Sequence, residues 1–194
     1  MKKVLICALC FIMLITPING MVFADRGGET ADNMSEIKDS IKDEVALLTK
    51  AGVIALSEQY DPNEIVTRAE FAAYTAAAIG EDGKMNISYF SDVPTSYWAA
   101  DSINILVDRK IIDKADDGKF NPDEPITYPQ ACKMMAAMTG YKAYADPDKI
   151  MNEYVSVAQK AGFGINTKSV DSITLAEAIK LIYNAMRTDL MSVI

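Results

Sequence analysis

The stretch Tyr60 to Glu70 (YDPNEIVTRAE) recurs sixty residues later as Phe120 to Gln130 (FNPDEPITYPQ). Each copy ends in Thr followed three residues on by Glu or Gln. That is the capping box, in which the Thr hydroxyl accepts the third helical amide and the Glu or Gln side chain reaches back to the cap. Thr67 with Glu70 and Thr127 with Gln130 each open an apolar helical pattern, and Thr174 with Glu177 opens a third. Upstream, Leu47 to Ile54 lies over Ile105 to Ile112 at an offset of 58, so the two-residue difference falls in the intervening loop, where deletions are tolerated. Each repeat therefore holds a short helix, a turn-rich loop and a longer helix. A unit this small cannot bury its own apolar face, so the units must share one core. Helical periodicity covers more than half of the chain and strand-like alternation is nearly absent, which predicts a mainly α fold.

The middle unit is written most fully. Its first helix is expected from about Tyr97 to Arg109, with Ala99, Ile103, Leu106 and Val107 three or four residues apart. The loop from Asp113 to Pro125 contains Asp-Asp-Gly and Asn-Pro, which end helices. The second helix is expected from Thr127 to Thr139, with Pro129 in the first turn and Gly140 as the left-handed stop. The third unit runs through Val155 to Ile165, then Ser172 to Glu177, then Ala178 to Met186; it lacks the Asp-Gly and Asn-Pro elements. The glycine that closes the first helix is kept as Gly52 and Gly162, whereas the middle unit has Lys110. The expected divisions are 36–84, 85–143 and a degenerate 144–194, preceded by a polar, flexible lead-in at 25–35.

Residues 1–24 read as a secretory signal peptide: Lys2 and Lys3, an apolar run from Val4 to Ile15, helix breakers at Pro17 and Gly20, then Val22-Phe23-Ala24. Its removal takes Cys7 and Cys10 with it, leaving Cys132 alone and no intramolecular disulfide. It also leaves 17 basic residues against 27 acidic ones, a net charge near −10. That balance argues against nucleic acid as a partner. No later segment is apolar enough for a bilayer span, so no membrane association is expected after cleavage.

Support for catalysis is thin. The chain has no histidine, which removes the commonest general base. Cys132 shares an apolar helix face with Met135 and Met138 and reads as a small core residue. Ser35 and Lys38 have the spacing of a serine–lysine pair without its partner motifs. Gly162-Phe163-Gly164 follows a helix and lacks a third glycine, so it is no dinucleotide loop. Asp113, Asp117, Gly118 and Glu124 fall on positions of a calcium loop, but Ala115 offers no ligand and Pro122 and Pro125 interrupt the exit helix. A turn between helices is the reading taken. No cofactor and no metal are expected, and the chain is read as non-enzymatic.

Phe90-Ser91-Asp92-Val93, Tyr97-Trp98-Ala99, Ile111-Ile112, Asp117-Gly118-Lys119-Phe120-Asn121-Pro122 and Ile126-Thr127 occur in this order over about fifty residues. The set resembles an S-layer homology repeat. The resemblance implies a triplet of repeats closing into a pseudo-threefold, mainly helical unit. It also implies binding of secondary cell-wall polysaccharide, often pyruvylated, in grooves between repeats, and a place at the cell wall or S-layer. Val66-Thr67-Arg68-Ala69-Glu70 matches the motif whose arginine contributes to such a groove, and Asp92 matches the family's aspartate. Arg68, Asp92 and Trp98 are the implied ligand residues. Trp98 could stack on a sugar ring, although its apolar character places it more readily in the core. The arginine position holds Tyr128 and Leu175 in the other two units. That departure keeps an alternative open: an envelope protein–protein adaptor on the same scaffold that no longer binds glycan.

Overall fold

The computed structural model describes residues 31–141, 152–167 and 171–188; the expected signal peptide lies outside them. Seven helices occur among the described residues: α1 (Ala31–Ser40), α2 (Lys42–Lys50), α3 (Arg68–Ala78), α4 (Ala100–Asp108), α5 (Tyr128–Met138), α6 (Asn152–Ala161) and α7 (Leu175–Arg187). β-Structure is limited there to two isolated bridges, Ile65 with Thr174 and Thr67 with Pro125. The fold is mainly α. α1 takes in the last five residues of the stretch expected as a lead-in. None of the described helices is long and apolar enough to cross a membrane.

The helix starts follow from local chemistry. Thr67, Thr127 and Thr174 each sit in extended backbone and accept the amide of Glu70, Gln130 and Glu177, and each of those side chains returns to the cap amide. The shorter helices end on a left-handed residue, Gly52 at φ 76°, Gly162 at φ 86° and Lys110 at φ 59°. Lys110 thus takes the conformation of the glycine it replaces, at the steric cost a Cβ carries there. α4 starts at Ala100, three residues later than the periodicity predicts, because Pro94 to Ala99 wind into turns first.

The short and long helix of one unit are not each other's main contact; the packing runs from one unit to the next. α3 lies against α4, α5 against α6, and α7 returns to α2, while α3, α5 and α7 touch one another. At the centre the residues preceding the three caps form a closed ring of hydrogen bonds. Val66 N–H donates to Ile173 O (3.1 Å), Ile173 N–H to Ile126 O (3.2 Å), and Ile126 N–H to Val66 O (2.9 Å). All three residues are buried, so the ring satisfies backbone groups that would otherwise be stranded away from water. A single apolar core surrounds it, with Phe71, Phe163, Ile103, Leu106, Met135, Ile179 and Leu181 fully buried. Cys132 is completely buried, which pushes its thiol up to about 12.

Candidate functional site

Arg68 is the first residue of α3, and a cation there opposes the helix dipole. The structure compensates it. Its own amide donates to Glu124 O (2.9 Å), and that of Ala69 to Pro122 O (2.9 Å), fastening the 120–124 loop across the helix start. The side chain then folds over the same loop: Nε donates to Phe120 O at 2.8 Å, and the guanidinium carbon lies 4.6 Å from the centre of the Phe120 ring. Such stacking supplies electrostatic attraction and a fixed plane. Burial lowers the guanidinium pKa, while the carboxylates of Glu124 and Asp92 raise it again. Arginine stays charged under these conditions. Among the described residues, nothing engages its two Nη nitrogens, so the outer edge of the fork is presented outward from a half-buried stem.

Asp92 meets Arg68 at that loop. One carboxylate oxygen accepts Phe120 N–H (2.9 Å), the other Asn121 N–H (2.7 Å). Phe120 is thereby held from both sides, its N–H by Asp92 and its carbonyl by Arg68, which lets Asn121 adopt φ 55°. Burial pushes the Asp92 pKa up. The amides of Phe120 and Asn121, its own amide and the nearby Lys119 charge outweigh that effect and hold it below the usual carboxylate value. A folded pKa below the unfolded one means that the stabilisation is present above the unfolded pKa and is lost as pH falls through the folded pKa. Acid titration is therefore expected to release the 120–121 loop below about pH 4. Trp98 fluorescence should report a step there that disappears in Asp92→Asn; a step unchanged in that variant would assign the titration to another carboxylate.

Trp98 departs from the expectation of core burial: it is 58% exposed. The core positions of its segment are taken by Val93, Ala99 and Ala100, and the turn before α4 points the indole outward. It lies against Tyr97, ring centres 6.0 Å apart, and the Tyr97 hydroxyl donates to Asp123 at 2.6 Å. Burial, followed by this bond, pushes the Tyr97 hydroxyl up to about 12. The structure thus brings Arg68, Asp92 and, through Tyr97, Trp98 to one loop. Sequence reasoning gave no role to Tyr97, Phe120 or Asp123. Tyr97 and Phe120 stand within the motifs already quoted, whereas Asp123 carries no signal until the loop closes.

The other two arginine positions differ. Tyr128 is buried, and its hydroxyl donates to Ile165 O (3.0 Å) and accepts Ile165 N–H (2.9 Å), joining α5 to the segment after α6. Leu175 is 5% exposed at the start of α7 and forms part of the wall of a groove of about 210 Å3. In the Asp113 to Glu124 loop the carboxylates are engaged separately. Asp113 pairs with Lys133 at 2.9 Å, Asp117 accepts Lys119 N–H at 3.0 Å, and Asp123 takes the Tyr97 hydroxyl. No group of three or more metal-ligating side chains occurs among the described residues.

Comparison with known proteins follows the same outline. The chain is 28% identical over 199 residues to the middle cell wall protein of Brevibacillus brevis, covering 98% of this chain and 18% of that protein. It is 26% identical over 202 residues to the surface layer protein of Brevibacillus choshinensis, covering 98% and 17%. Against the cellulosome-anchoring protein of Acetivibrio thermocellus it is 35% identical over 72 residues, covering 35% and 16%. The chain spans less than a fifth of the length of these relatives. Two segments, residues 35–72 and 89–132, match the S-layer homology domain; they contain Arg68 and, in the second, Asp92, Trp98 and Phe120.

Proposed function

We propose that this chain is a non-catalytic cell-surface module that attaches to an anionic secondary cell-wall polysaccharide through the groove between α3 and the 120–124 loop. One observation carries the reading: Arg68 is clamped at Nε and stacked on Phe120, with its Nη edge uncommitted among the described residues. A planar fork held in this way suits two parallel hydrogen bonds to a carboxylate such as a pyruvate ketal. Exposed Trp98, which lies against Tyr97, supplies a flat apolar face for a sugar ring. The closed ring of hydrogen bonds at Val66, Ile126 and Ile173 supports the threefold closure that the resemblance implies. The names of the relatives support a place at the cell surface.

The test is co-sedimentation with purified bacterial walls, with and without their acid-extractable polysaccharide. Binding is expected only to walls that keep the polymer. Arg68→Ala should weaken it about tenfold or more, and Arg68→Lys should restore only part, because a point charge cannot reproduce the fork. Equal binding to extracted walls, or wild-type binding by Arg68→Ala, would sink the reading. A second reading, a protein–protein adaptor of the envelope, is favoured by Tyr128 and Leu175 at the other arginine positions. It expects no binding to either wall.

A further inference from the structure

Residues 81–88 join the first unit to the second without helix or strand, and none of them belongs to the apolar core. Polar groups of α4 hold this connector down instead. Glu81 pairs with Arg109, and Met85 N–H donates to Asp101 Oδ1 at 2.8 Å. Fully buried Asn104 spends both ends of its amide there: Nδ2 donates to Ile87 O (2.7 Å) and Oδ1 accepts Tyr89 N–H (3.1 Å). The connector therefore runs along α4 from its last turn to its first and then doubles back. Lifting it exchanges these bonds for bonds to water and takes no residue of 81–88 out of the core, so it opens at lower cost than the fold as a whole. Lys84 lies midway along it and is exposed, as are Asp82, Gly83, Asn86 and Ile87. The other basic residues of 31–141 stand in helices, in the turn that ends α4, or in the 113–124 loop, which Asp92 and Arg68 fasten at Phe120.

We propose that the Lys84–Met85 bond is a processing site for a trypsin-like endoproteinase, and that the cut leaves the fold assembled with its new terminus held by Asp101. Water adds at the Lys84 carbonyl carbon and the C–N bond breaks. Lys84 keeps the carboxylate, and Met85 gains an amino group that is protonated at neutral pH. The Met85 nitrogen already lies 2.8 Å from Asp101 Oδ1, so the ammonium forms against a carboxylate. A bond from a neutral amide gives way to a charge-assisted one. The Lys84 carboxylate stays in solvent. Everything that closes the fold crosses the cut. Val66, before it, exchanges backbone hydrogen bonds with Ile173 and Ile126, after it; Arg68 keeps Phe120 O; and α3 lies against α4. Arg68 then belongs to one piece and Asp92 to the other, with both still on the Phe120 loop. Cleavage here yields a two-piece chain in place of a degraded one.

The probe is trypsin at low ratio, acting on the full chain in reducing buffer, with the pieces identified by mass. Within residues 31–141 the first cut is expected after Lys84, and Lys84→Gln should slow the loss of that uncut span about tenfold or more. The pieces that meet at this bond should co-elute on gel filtration and separate only in denaturant. Thermal melting then reads the new terminus. Asp101→Asn, which keeps an acceptor oxygen but no charge, should lower the midpoint more in the cut chain than in the uncut chain, by on the order of 2–4 °C. A first cut elsewhere in 31–141, or pieces that part without denaturant, would overturn the processing site. Equal midpoint losses in the cut and uncut chains would overturn the part given to Asp101. Wall sedimentation plays no role in these readouts, so this inference and the wall-attachment reading can each fail without the other.

Discussion

Phe163→Ala is expected to destabilise the whole chain by about 3–5 kcal/mol, not only its last third. Phe163 has no exposed surface, meets Tyr141 edge-on with ring centres 6.4 Å apart, and belongs to the same apolar core as Phe71 and Leu106. Neither segment that matches the S-layer homology domain reaches it. If the α6–α7 pair were an appendage, removing this ring would melt only that pair. The ring of hydrogen bonds through Ile173, and the return of α7 to α2, make it part of the cooperative unit instead. Denaturant unfolding followed by Trp98 fluorescence and by far-UV circular dichroism should therefore give one coincident transition, shifted equally in both signals. The melting midpoint should fall on the order of 10 °C. An unchanged Trp98 transition, with only part of the helical signal lost, would show that the last pair folds separately.

Tyr128→Phe is expected to cost about 1–3 kcal/mol, although it removes a single oxygen. That oxygen accepts Ile165 N–H and donates to Ile165 O in a setting where Tyr128 is 2% exposed and Ile165 8%. Gln159 also donates to Ile165 O at 3.0 Å, so in the variant the carbonyl keeps a partner and the amide does not. A buried amide left without an acceptor forfeits its hydration with no return. Urea midpoints, with unchanged slope, measure the loss. A midpoint equal to that of the parent chain would mean that water reaches Ile165. The same packing explains why this position, which holds arginine in the first unit, offers no cation: the hydroxyl is spent on joining α5 to the segment after α6.

Much of the architecture is legible before any folding. Capping boxes are local, needing four consecutive residues and no partner, so Thr67, Thr127 and Thr174 mark helix starts correctly from sequence alone. The left-handed turn after each short helix is equally local, and Lys110 adopts it even without glycine because the surrounding chain demands it. Cys132, spaced with Met135 and Met138 on one apolar face, reads as core and is core. Trp98 reads less well. Hydrophobic character indicates that a side chain gains by burial, but not whether a neighbouring Val93 or Ala100 has already filled the space.

The mainly helical class, the recurring helix–loop–helix pattern and the positions of Arg68 and Asp92 in their motifs are readable from the chain before folding, because each rests on residues a few positions apart. That those two side chains converge on one loop follows from long-range packing. They lie 24 positions apart in the chain and converge on Phe120, which lies 52 from one and 28 from the other. That packing also sets Glu64 against Leu175 and Glu124 against Arg68. Charge compensation across a groove depends on which loop is laid over which helix start, and that is set by the central ring of backbone hydrogen bonds and the shared core, which no local pattern encodes.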